Sequence, residues 1–247
     1  MIYILIVMKI HNFYSPNFEK KKRSAKSIKM IIIHYTGMQS ERESIVRLCN
    51  PKSKVSSHFL IGQNGKVYQL VKNYQTAWHA GKSCWGKYKN LNKNSIGIEL
   101  VNKGHSLGYE KFKKKQLLSL EKICKILIKK YKVKKQNIIG HSDIAPSRKI
   151  DPGEKFPWQK LARKKIGIWH SCRPNLLKKY RGKKIITKSE KKDFIKNLKK
   201  IGYCLNKRDL RLSRTVMAFQ RHYRKELING YLDKECLEIA KSLKKNL

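Results

Sequence analysis

The sequence is poor in acidic residues. Only 16 Asp and Glu stand against 59 Lys and Arg, which leaves a formal net charge of +43 over 247 residues. Such a charge would attract polyanions such as nucleic acid, acidic cell-wall material or a membrane face. The lysines, however, are spread along the whole chain among many Ile and Asn residues, as a coding bias would also produce. No helix-turn-helix, zinc-finger or RNA-recognition pattern is present, so we predict no specific nucleic-acid partner.

Long apolar runs are also absent. The apolar run at the N-terminus covers only residues 2–8, whereas a transmembrane helix needs about 20 such residues. No basic residue precedes this run and no small-residue cleavage site follows it, so it is a poor secretory signal. We therefore predict no transmembrane segment, and the run could instead form an edge strand. Export is neither indicated nor excluded by this segment.

The sequence contains no CxxC pair. Its six cysteines are widely scattered, which fits free or buried thiols better than a disulfide framework or a structural zinc knuckle. Cys124 falls in a helical stretch, where a buried thiol is the simpler interpretation. This usage points toward a reducing compartment. The cysteines stand at 49, 84, 124, 172, 204 and 236.

Strand and helix patterns alternate through residues 30–166. Apolar runs predict strands at 30–36, 95–101 and 138–139, and Asn64-Gly65 predicts a hairpin between 57–62 and 66–71. Ser40 predicts a helix N-terminus, and apolar periodicity predicts helices over 110–132 and from 156 to about 166. This alternation predicts an α/β domain with a mixed β-sheet flanked by helices.

The rest of the chain divides at composition shifts. Residues 1–27 form a basic lead-in, 28–170 the α/β domain, and 171–188 a linker without clear periodicity. From residue 189 to 247 only helices are predicted. One runs over 189–201, one is capped by Ser213 and one is capped by Asp233. We therefore expect a small three-helix C-terminal module.

Two histidines follow runs that predict strands, and an aspartate lies close to the second. His34 ends the run MIIIH, and His141 follows residues 138–139 in the stretch IIGHSDIAPSRKIDPG; Asp151 is part of the same stretch. Adjacent strands lie about 5 Å apart, so these side chains can converge. Two imidazoles and a carboxylate suit an open Zn²⁺ site that keeps its fourth position for water. Taken singly, each histidine is explained at least as well by a structural role.

Two further side chains have the chemistry of an active site. Glu99 is the only acid in the predicted strand SIGIELV, where it shares a side with Gly97. An unpaired carboxylate is costly to bury, so Glu99 either finds a partner or serves as an acid/base near water. Lys149 is one lysine among many and is well explained as solvated surface. Only its place two residues before Asp151 singles it out.

Residues from about 28 to 168 closely resemble the zinc-dependent N-acetylmuramoyl-L-alanine amidases of type 2. This family shares its fold with phage amidase lysozymes and peptidoglycan recognition proteins. The matching segments agree in residue type, order and rough spacing. They are IIIHYT, SSHFLIGQNGKVYQLV, AWHAG, NSIGIELVN, IIGHSDIAPSRKIDPG and FPW.

The resemblance implies a role for each of these residues. His34, His141 and Asp151 become the ligands of one Zn²⁺ per chain, Glu99 the acid/base, and Lys149 a stabiliser of the transition state. Some members carry a cysteine as third ligand, where this chain has Asp151. Phage amidases and recognition proteins carry a tyrosine before the SSHF histidine. This chain has Ser57 at that position, which agrees with the branch that uses the glutamate.

The implied reaction is hydrolysis of the amide between the N-acetylmuramic acid lactyl group and L-alanine in peptidoglycan or muropeptides. Trp78 and His79 of AWHAG are expected to line the substrate groove, although a structural role suits Trp78 equally. Arg148 could bind a stem-peptide carboxylate through its bidentate fork. The alternatives are a non-catalytic recognition protein on the same scaffold and, with less support, a basic nucleic-acid-binding protein. Such recognition proteins usually lack one zinc ligand, and all three are present here.

The C-terminal helices resemble a peptidoglycan-binding module more weakly, because its usual glycine-rich opening is replaced by KKIITKSEKK. An appended module of this sort resembles the envelope-anchored amidases more than the cytoplasmic recycling enzymes. We therefore favour the cell envelope over the cytoplasm, against the indication from the cysteines. Peptidoglycan or muropeptide is the expected partner. The sequence does not fix the oligomeric state, for which a monomer is favoured.

Overall fold

A six-stranded sheet forms the centre of the larger domain. The computed structural model describes residues 9–184, 187–205 and 212–247. Within them, two short two-stranded sheets accompany the main one. In chain order the strands are β1 (Ile10–Asn12), β2 (Phe18–Glu19), β3 (Met30–Tyr35), β4 (Phe59–Ile61), β5 (Val67–Gln69), β6 (Thr76–Ala77), β7 (Cys84–Trp85), β8 (Tyr88–Lys89), β9 (Ser95–Leu100) and β10 (Ile138–Gly140).

The main sheet is mixed, as predicted. Its strand order is β1-β5-β4-β9-β3-β10. β3 runs parallel to both β9 and β10, and β4 runs parallel to β9, whereas β4 and β5 form the predicted antiparallel hairpin. The apolar run over residues 2–8 lies outside the described residues. The strand that follows it, β1, pairs with β5 at the sheet edge.

The helices cover this sheet and continue into the C-terminal region. Ser40 caps the first helix by accepting from Glu43 N–H at 3.1 Å, and Asp233 caps the last by accepting from Cys236 N–H at 2.8 Å. Both caps were predicted. The helices are α1 (Glu41–Cys49), α2 (Gly104–Leu107), α3 (Lys114–Tyr131), α4 (His141–Ile144), α5 (Trp158–Arg163), α6 (Pro174–Tyr180), α7 (Lys188–Ile201), α8 (Leu212–Tyr223) and α9 (Lys234–Lys245).

Three helix boundaries differ from the sequence prediction. α3 begins at Lys114 rather than at 110, because the carbonyl of Glu110 accepts from the Asn102 side chain and ties the preceding residues to a loop. α5 ends at Arg163, short of 166, since Lys165 has a φ of 65°, outside the helical region. α8 already includes Leu212, so Ser213 lies within the helix and does not cap it.

Strand β3 is buried on both faces, as its run of β-branched residues predicted. Ile31 and Ile33 pack in one apolar cluster with α3. Met30 and Ile32 lie in a second cluster, which also contains the buried faces of α7, α8 and α9. His34 continues the alternation of Met30 and Ile32 and therefore faces the same side as the C-terminal helices.

The predicted three C-terminal helices are present as α7, α8 and α9. The segment predicted as a linker, 171–188, is not irregular throughout, because it contains α6. Leu177 of α6 packs against the C-terminal core, and Arg181 binds Glu235 of α9 at 2.7 Å. The contact between Arg181 and Glu235 joins residues 54 positions apart, so local periodicity did not reveal it. Among the described helices, none is both long and apolar enough to cross a bilayer.

The expectation of unpaired thiols is wrong for one pair of cysteines. Cys84 in β7 and Cys204 after α7 form a disulfide across a sequence separation of 120. A pairing over this distance leaves no local spacing signal, so the scatter of the cysteines was misleading. Cys49, Cys124 and Cys172 are free, as is Cys236, and Cys124 is buried in α3 as predicted.

Candidate active site

The three predicted metal ligands converge because two neighbouring parallel strands end at the same edge of the sheet. His34 lies near the end of β3, and His141 opens α4 directly after β10, the neighbour of β3. Asp151 lies in the loop before α5, where its carbonyl accepts from Ser142 N–H at 2.8 Å. All three side chains are buried, and their candidate ligand atoms lie within 4.8 Å of one another.

The distances between these atoms fit a metal ion. His34 Nδ1 lies 3.0 Å from both His141 Nδ1 and Asp151 Oδ2, and His141 Nδ1 lies 3.1 Å from Asp151 Oδ2. Ligands 2.0–2.1 Å from a tetrahedral Zn²⁺ are about 3.3 Å apart, so the triangle has nearly the right size. Three atoms whose lone pairs face one another also need a cation or proton between them. The donor set therefore fits Zn²⁺ and leaves a fourth coordination position.

The outer nitrogen of each histidine ring has a partner that fixes the ring. His141 Nε2 lies 3.2 Å from the carbonyl oxygen of Ala80, to which it donates when its Nδ1 is a ligand. His34 Nε2 lies 3.1 Å from His79 Nδ1. Such partners hold the tautomer and orientation that a metal-binding imidazole needs. Both partners belong to the AWHAG segment, which therefore holds the two histidine rings in place.

His79 is the centre of a short hydrogen-bond chain. When His34 donates to His79 Nδ1, His79 Nε2 is free to donate to Ser95 Oγ at 3.2 Å. Ser95 Oγ in turn donates to the carbonyl of Leu91 at 2.6 Å. The ring lies against Gly97, where a Cβ would come within 2.4 Å of His79 Cγ. His79 borders the cleft, but it is buried, and its two ring nitrogens are directed at His34 and Ser95.

The protonation states of the cluster suit metal binding. Burial and the neighbouring His141 lower the pKa of His34 to about 4, so the imidazole is neutral at pH 7. Burial alone would raise the pKa of Asp151, but His141 and His34 hold it well below its usual range. Neutral imidazole and ionised carboxylate are the forms that ligate a cation.

Glu99 stands beside these ligands. In the parallel pairing of β3 and β9 it lies opposite His34, and its side chain borders the same cleft. Burial, followed by repulsion from Asp151, raises its pKa to about 8, while Lys149 acts in the opposite direction. Its Oε2 is buried and has no hydrogen-bond partner among the described residues. This oxygen therefore has not found a partner, and the acid/base role of Glu99 stays a prediction.

Arg148 and Lys149 are adjacent in the loop after α4, but their side chains have different surroundings. Lys149 is half-buried and borders the cleft. Arg148 also reaches the cleft, but its guanidinium donates to the carbonyls of Ala80, at 2.5 Å, and Lys82, at 2.8 and 3.1 Å. The fork predicted for a substrate carboxylate thus binds backbone oxygens. A bidentate contact with a ligand would require it to give them up.

The cleft above the cluster has a volume of about 390 Å³. Trp78 borders it and is half-buried, and its backbone N–H donates to Ser56 Oγ at 2.9 Å. Ser57, at the position of the family's tyrosine, is fully buried and donates to Gly97 O at 2.7 Å, so its hydroxyl is not directed to the cleft. Arg47 of α1 is exposed and also borders the cleft. The sequence analysis did not single it out, because no local signal marks one basic residue among 59.

Comparison with known proteins identifies the family to which this chain belongs. Residues 24–154 match the family described as N-acetylmuramoyl-L-alanine amidase. The N-acetylmuramoyl-L-alanine amidase AmiD of Escherichia coli is 38% identical over 233 residues, which cover 87% of this chain and 82% of AmiD. The 1,6-anhydro-N-acetylmuramyl-L-alanine amidase AmpD of Haemophilus influenzae is 33% identical over 164 residues, which cover 59% of this chain and 86% of AmpD.

Solved structures match over the C-terminal helices as well. E. coli AmiD, in complex with the substrate anhydro-N-acetylmuramic acid-L-Ala-D-γ-Glu-L-Lys, has a TM-score of 0.77 and 34% identity, over 92% of this chain and 93% of AmiD. AMPDH3 from Pseudomonas aeruginosa has a TM-score of 0.78 and 28% identity, over 95% of this chain and 98% of its own. The predicted family and fold are confirmed. The chain belongs to the N-acetylmuramoyl-L-alanine amidase family and is an enzyme of that class.

Proposed function

We propose that the protein is a zinc-dependent amidase that cleaves the bond between N-acetylmuramic acid and the L-alanine of the stem peptide. One observation carries this proposal. His34, His141 and Asp151 meet within 3.1 Å of one another beside Glu99, whose Oε2 has no partner among the described residues. When bound at these three residues, Zn²⁺ supplies the Lewis acidity that polarises an amide carbonyl and lowers the pKa of water.

Glu99 is the proposed acid/base. Glu99 borders the cleft, its Oε2 has no hydrogen-bond partner among the described residues, and its pKa of about 8 lies close to neutral. A group with such a pKa can both accept and return a proton near pH 7. Glu99 would take the proton of the attacking water and deliver it to the departing amine of L-alanine. Amide hydrolysis needs this transfer because an unprotonated amine is a poor leaving group.

Lys149 is the proposed stabiliser of negative charge. It borders the cleft together with Glu99 and lies close enough to influence the pKa of that carboxylate. A fixed ammonium stabilises the oxyanion that develops as water adds to the amide carbonyl more strongly than it stabilises the neutral carbonyl. Its contribution is therefore expected in turnover more than in substrate binding.

Arg47 is our candidate for recognition of the stem peptide. The ligand of E. coli AmiD contains a D-γ-Glu linkage, which leaves the α-carboxylate of that residue free. Arg148 borders the cleft but donates to backbone carbonyls. Arg47 borders the same cleft, and its guanidinium forms no hydrogen bond or ion pair with another described residue. We propose that Arg47 meets this carboxylate, with Trp78 as an apolar wall of the groove.

An envelope location agrees best with the chain as a whole. The disulfide between Cys84 and Cys204 favours an oxidising compartment over the cytoplasm. The C-terminal helices are matched by AmiD, over 87% of this chain, whereas E. coli AmpD matches only 44% of it. Both sacculus and soluble anhydro-muropeptide are possible substrates there, and wall binding by the C-terminal helices remains a prediction.

Product analysis tests this proposal directly. Purified sacculi and a soluble anhydro-muropeptide would each be incubated with the enzyme, with and without a chelator, and the products identified by mass spectrometry. We expect free stem peptides beginning with L-alanine, no cleavage after chelation, and recovery when Zn²⁺ is restored. Bound zinc without amide cleavage would instead indicate a recognition protein. Full cleavage after complete metal removal would contradict the zinc mechanism.

A further inference from the structure

Asp143 forms a buried hydrogen-bond centre between the metal site and the C-terminal helices. The residue is 2% exposed. Its Oδ2 accepts from Gly140 N–H at 2.8 Å and from His222 Nδ1 at 2.7 Å, and its Oδ1 accepts from Tyr203 OH at 2.6 Å. Gly140 precedes the ligand His141, whereas Tyr203 and His222 belong to the C-terminal region. The sequence analysis gave none of these three partners a role.

The segment that carries Asp143 and His141 packs directly against the segment that carries Asp151. Asp143 lies in α4, which begins with His141, and its bond to Gly140 N–H closes the first turn of that helix. Ser142 N–H, one residue before Asp143, donates to the carbonyl of Asp151 at 2.8 Å. A Cβ at Gly140 would lie 2.7 Å from Cδ of Pro152, the residue after Asp151. A shift of Asp143 would therefore move His141 and Asp151 relative to each other.

The two C-terminal donors are themselves held firmly. The His222 ring is stacked on Trp158 with centroids 3.9 Å apart and an interplanar angle of 17°. Tyr223 stacks on His222 at 3.9 Å and 12°. Tyr203 is 2% exposed and contacts Trp85 edge-on at 4.9 Å. Because these rings are fixed by packing, their donors define one position for the Asp143 carboxylate.

We propose that Tyr203 and His222 are positioning residues of the metal site, acting on His141 and Asp151 through Asp143. A buried carboxylate that loses a donor must find another or move toward water, because an unpaired buried charge is very costly. In this protein such a movement displaces two ligands. The C-terminal helices therefore complete the metal site, whatever they bind on their outer surface. This inference rests on the proposed zinc function.

The test uses the full-length protein and measures affinity for Zn²⁺ by competition with a chromophoric chelator. Tyr203→Phe removes only the hydroxyl, and His222→Gln removes the ring donor. We expect each to weaken zinc binding about 10-fold, at the lower end of what loss of an outer partner of a metal site costs. At saturating zinc, the KM for muropeptide should stay near the wild-type value, because neither residue borders the cleft.

Ile239→Val is the matched control. Ile239 is a fully buried aliphatic residue of α9 in the same apolar core, and it cannot donate to Asp143. It should lower the melting temperature slightly and leave zinc affinity unchanged. A purely structural effect of the C-terminal core would weaken zinc binding in this variant too, in proportion to its loss of stability. That result would overturn the positioning role.

A double-mutant cycle keeps the proposal testable if His222→Gln folds poorly. Asp143→Asn is nearly isosteric, and combining it with Tyr203→Phe should weaken zinc binding by less than the product of the single effects, because both act through one hydrogen bond. Independent effects would contradict the coupling. If Tyr203→Phe and His222→Gln both bind Zn²⁺ with wild-type affinity, the positioning role is wrong and the proposed function is unaffected. If the wild-type protein binds no Zn²⁺, both the positioning role and the proposed function are wrong.

Discussion

Glu99 and His34 stand opposite each other in neighbouring strands, and the contrast between them shows how burial assigns chemical roles. Burial lowers the pKa of His34 to about 4 and raises that of Glu99 to about 8. In both cases the low-dielectric surroundings disfavour the charged form. The result at pH 7 is a neutral imidazole at His34 and a carboxyl group at Glu99 that keeps its proton to a higher pH than an ordinary glutamate.

Replacing Glu99 by Gln should abolish proton transfer while keeping the shape of the side chain. We expect turnover of muropeptide to fall on the order of 10²-fold or more. Zinc content should remain unchanged, because Glu99 is not in the ligand triangle. Steady-state kinetics together with metal analysis of the same preparation checks both points. Near wild-type turnover would remove Glu99 from the mechanism.

The same substitution should change how the stability of the metal-free protein depends on pH. The pKa of Glu99 is about 8 in the folded protein against an ordinary value of 4.5, so the folded state holds its proton longer than the unfolded state. The stability contributed by this group is complete below pH 4.5 and is lost as the pH rises to 8. Glu99→Gln removes this loss. The free energy of unfolding of the variant should therefore rise relative to that of the wild type by about 1 kcal/mol per pH unit across that window.

Urea denaturation of chelator-treated wild type and Glu99→Gln at several pH values from 5 to 9 measures this difference. The two free energies of unfolding should diverge up to pH 8 and then run parallel. If the two free energies of unfolding differ by the same amount at every pH, the pKa of Glu99 is not raised in the folded protein, and its carboxylate is in contact with water.

Arg47→Gln should affect binding and not chemistry. Losing one charge-assisted hydrogen bond should raise the KM for a muropeptide with a free α-carboxylate about 10-fold or more, with kcat nearly unchanged. A muropeptide amidated at that carboxylate should not distinguish the variant from the wild type. Arg42→Gln, an exposed residue of the same helix outside the cleft lining, is the control. Equal effects on both substrates would contradict recognition of the carboxylate.

At the scale of elements, β9 owes its function to the alternation of its two faces. Ile96 and Ile98 enter the apolar cluster with α3, whereas Gly97 and Glu99 face the site. The absent side chain at Gly97 makes room for the His79 ring that supports His34. One strand thus supplies both a core face and the wall of the active site.

Gly97→Ala tests this close approach. Its Cβ would lie 2.4 Å from His79 Cγ, and the ring cannot stay in place. Overpacking of this kind should cost about 1–3 kcal/mol of stability. Displacement of His79 also removes the partner of His34 Nε2, so zinc affinity should fall as well. Thermal unfolding and zinc titration of the variant check these outcomes, and an unchanged zinc affinity would exclude a supporting role for His79.

For the whole molecule, the main finding is that the C-terminal helices share an apolar core with the sheet. Met30 and Ile32 of β3 lie in one cluster with Phe194 of α7 and Phe219 of α8. The disulfide between Cys84 and Cys204 joins the same two parts covalently. The helices are therefore packed onto the domain that carries the site and are not simply tethered to it by the segment over 171–188.

Removing the disulfide should reduce stability without changing the site. The double substitution Cys84→Ser and Cys204→Ser should lower the free energy of unfolding by about 2–4 kcal/mol, because the bond constrains a long loop in the unfolded chain. Reductant should destabilise the wild type similarly and leave the double variant unaffected. Cys49→Ser, at a free cysteine, is the control. Wild-type stability that does not respond to reductant would mean that the bond does not form in solution.

The sequence by itself determined the mixed sheet, the caps at Ser40 and Asp233, and the group of His34, His141 and Asp151 that the structure brings together. These features can be predicted from local patterns, because apolar periodicity, turn residues and short motifs each involve residues only a few positions apart. The sequence raised the question whether Glu99 has a partner, because it is the only acid in an apolar strand. Only the structure shows that its Oε2 has none among the described residues.

Tertiary structure alone decided the rest. The backbone partners of Arg148, the disulfide of Cys84 and the convergence of Tyr203 and His222 on Asp143 join residues 60 to 120 positions apart. A single basic residue, a scattered cysteine or a tyrosine after a helix end carries no sign of its partner in its own sequence neighbourhood. Their roles arise from packing, because burial makes each hydrogen bond or covalent link specific only once the sheet and the C-terminal helices have come together.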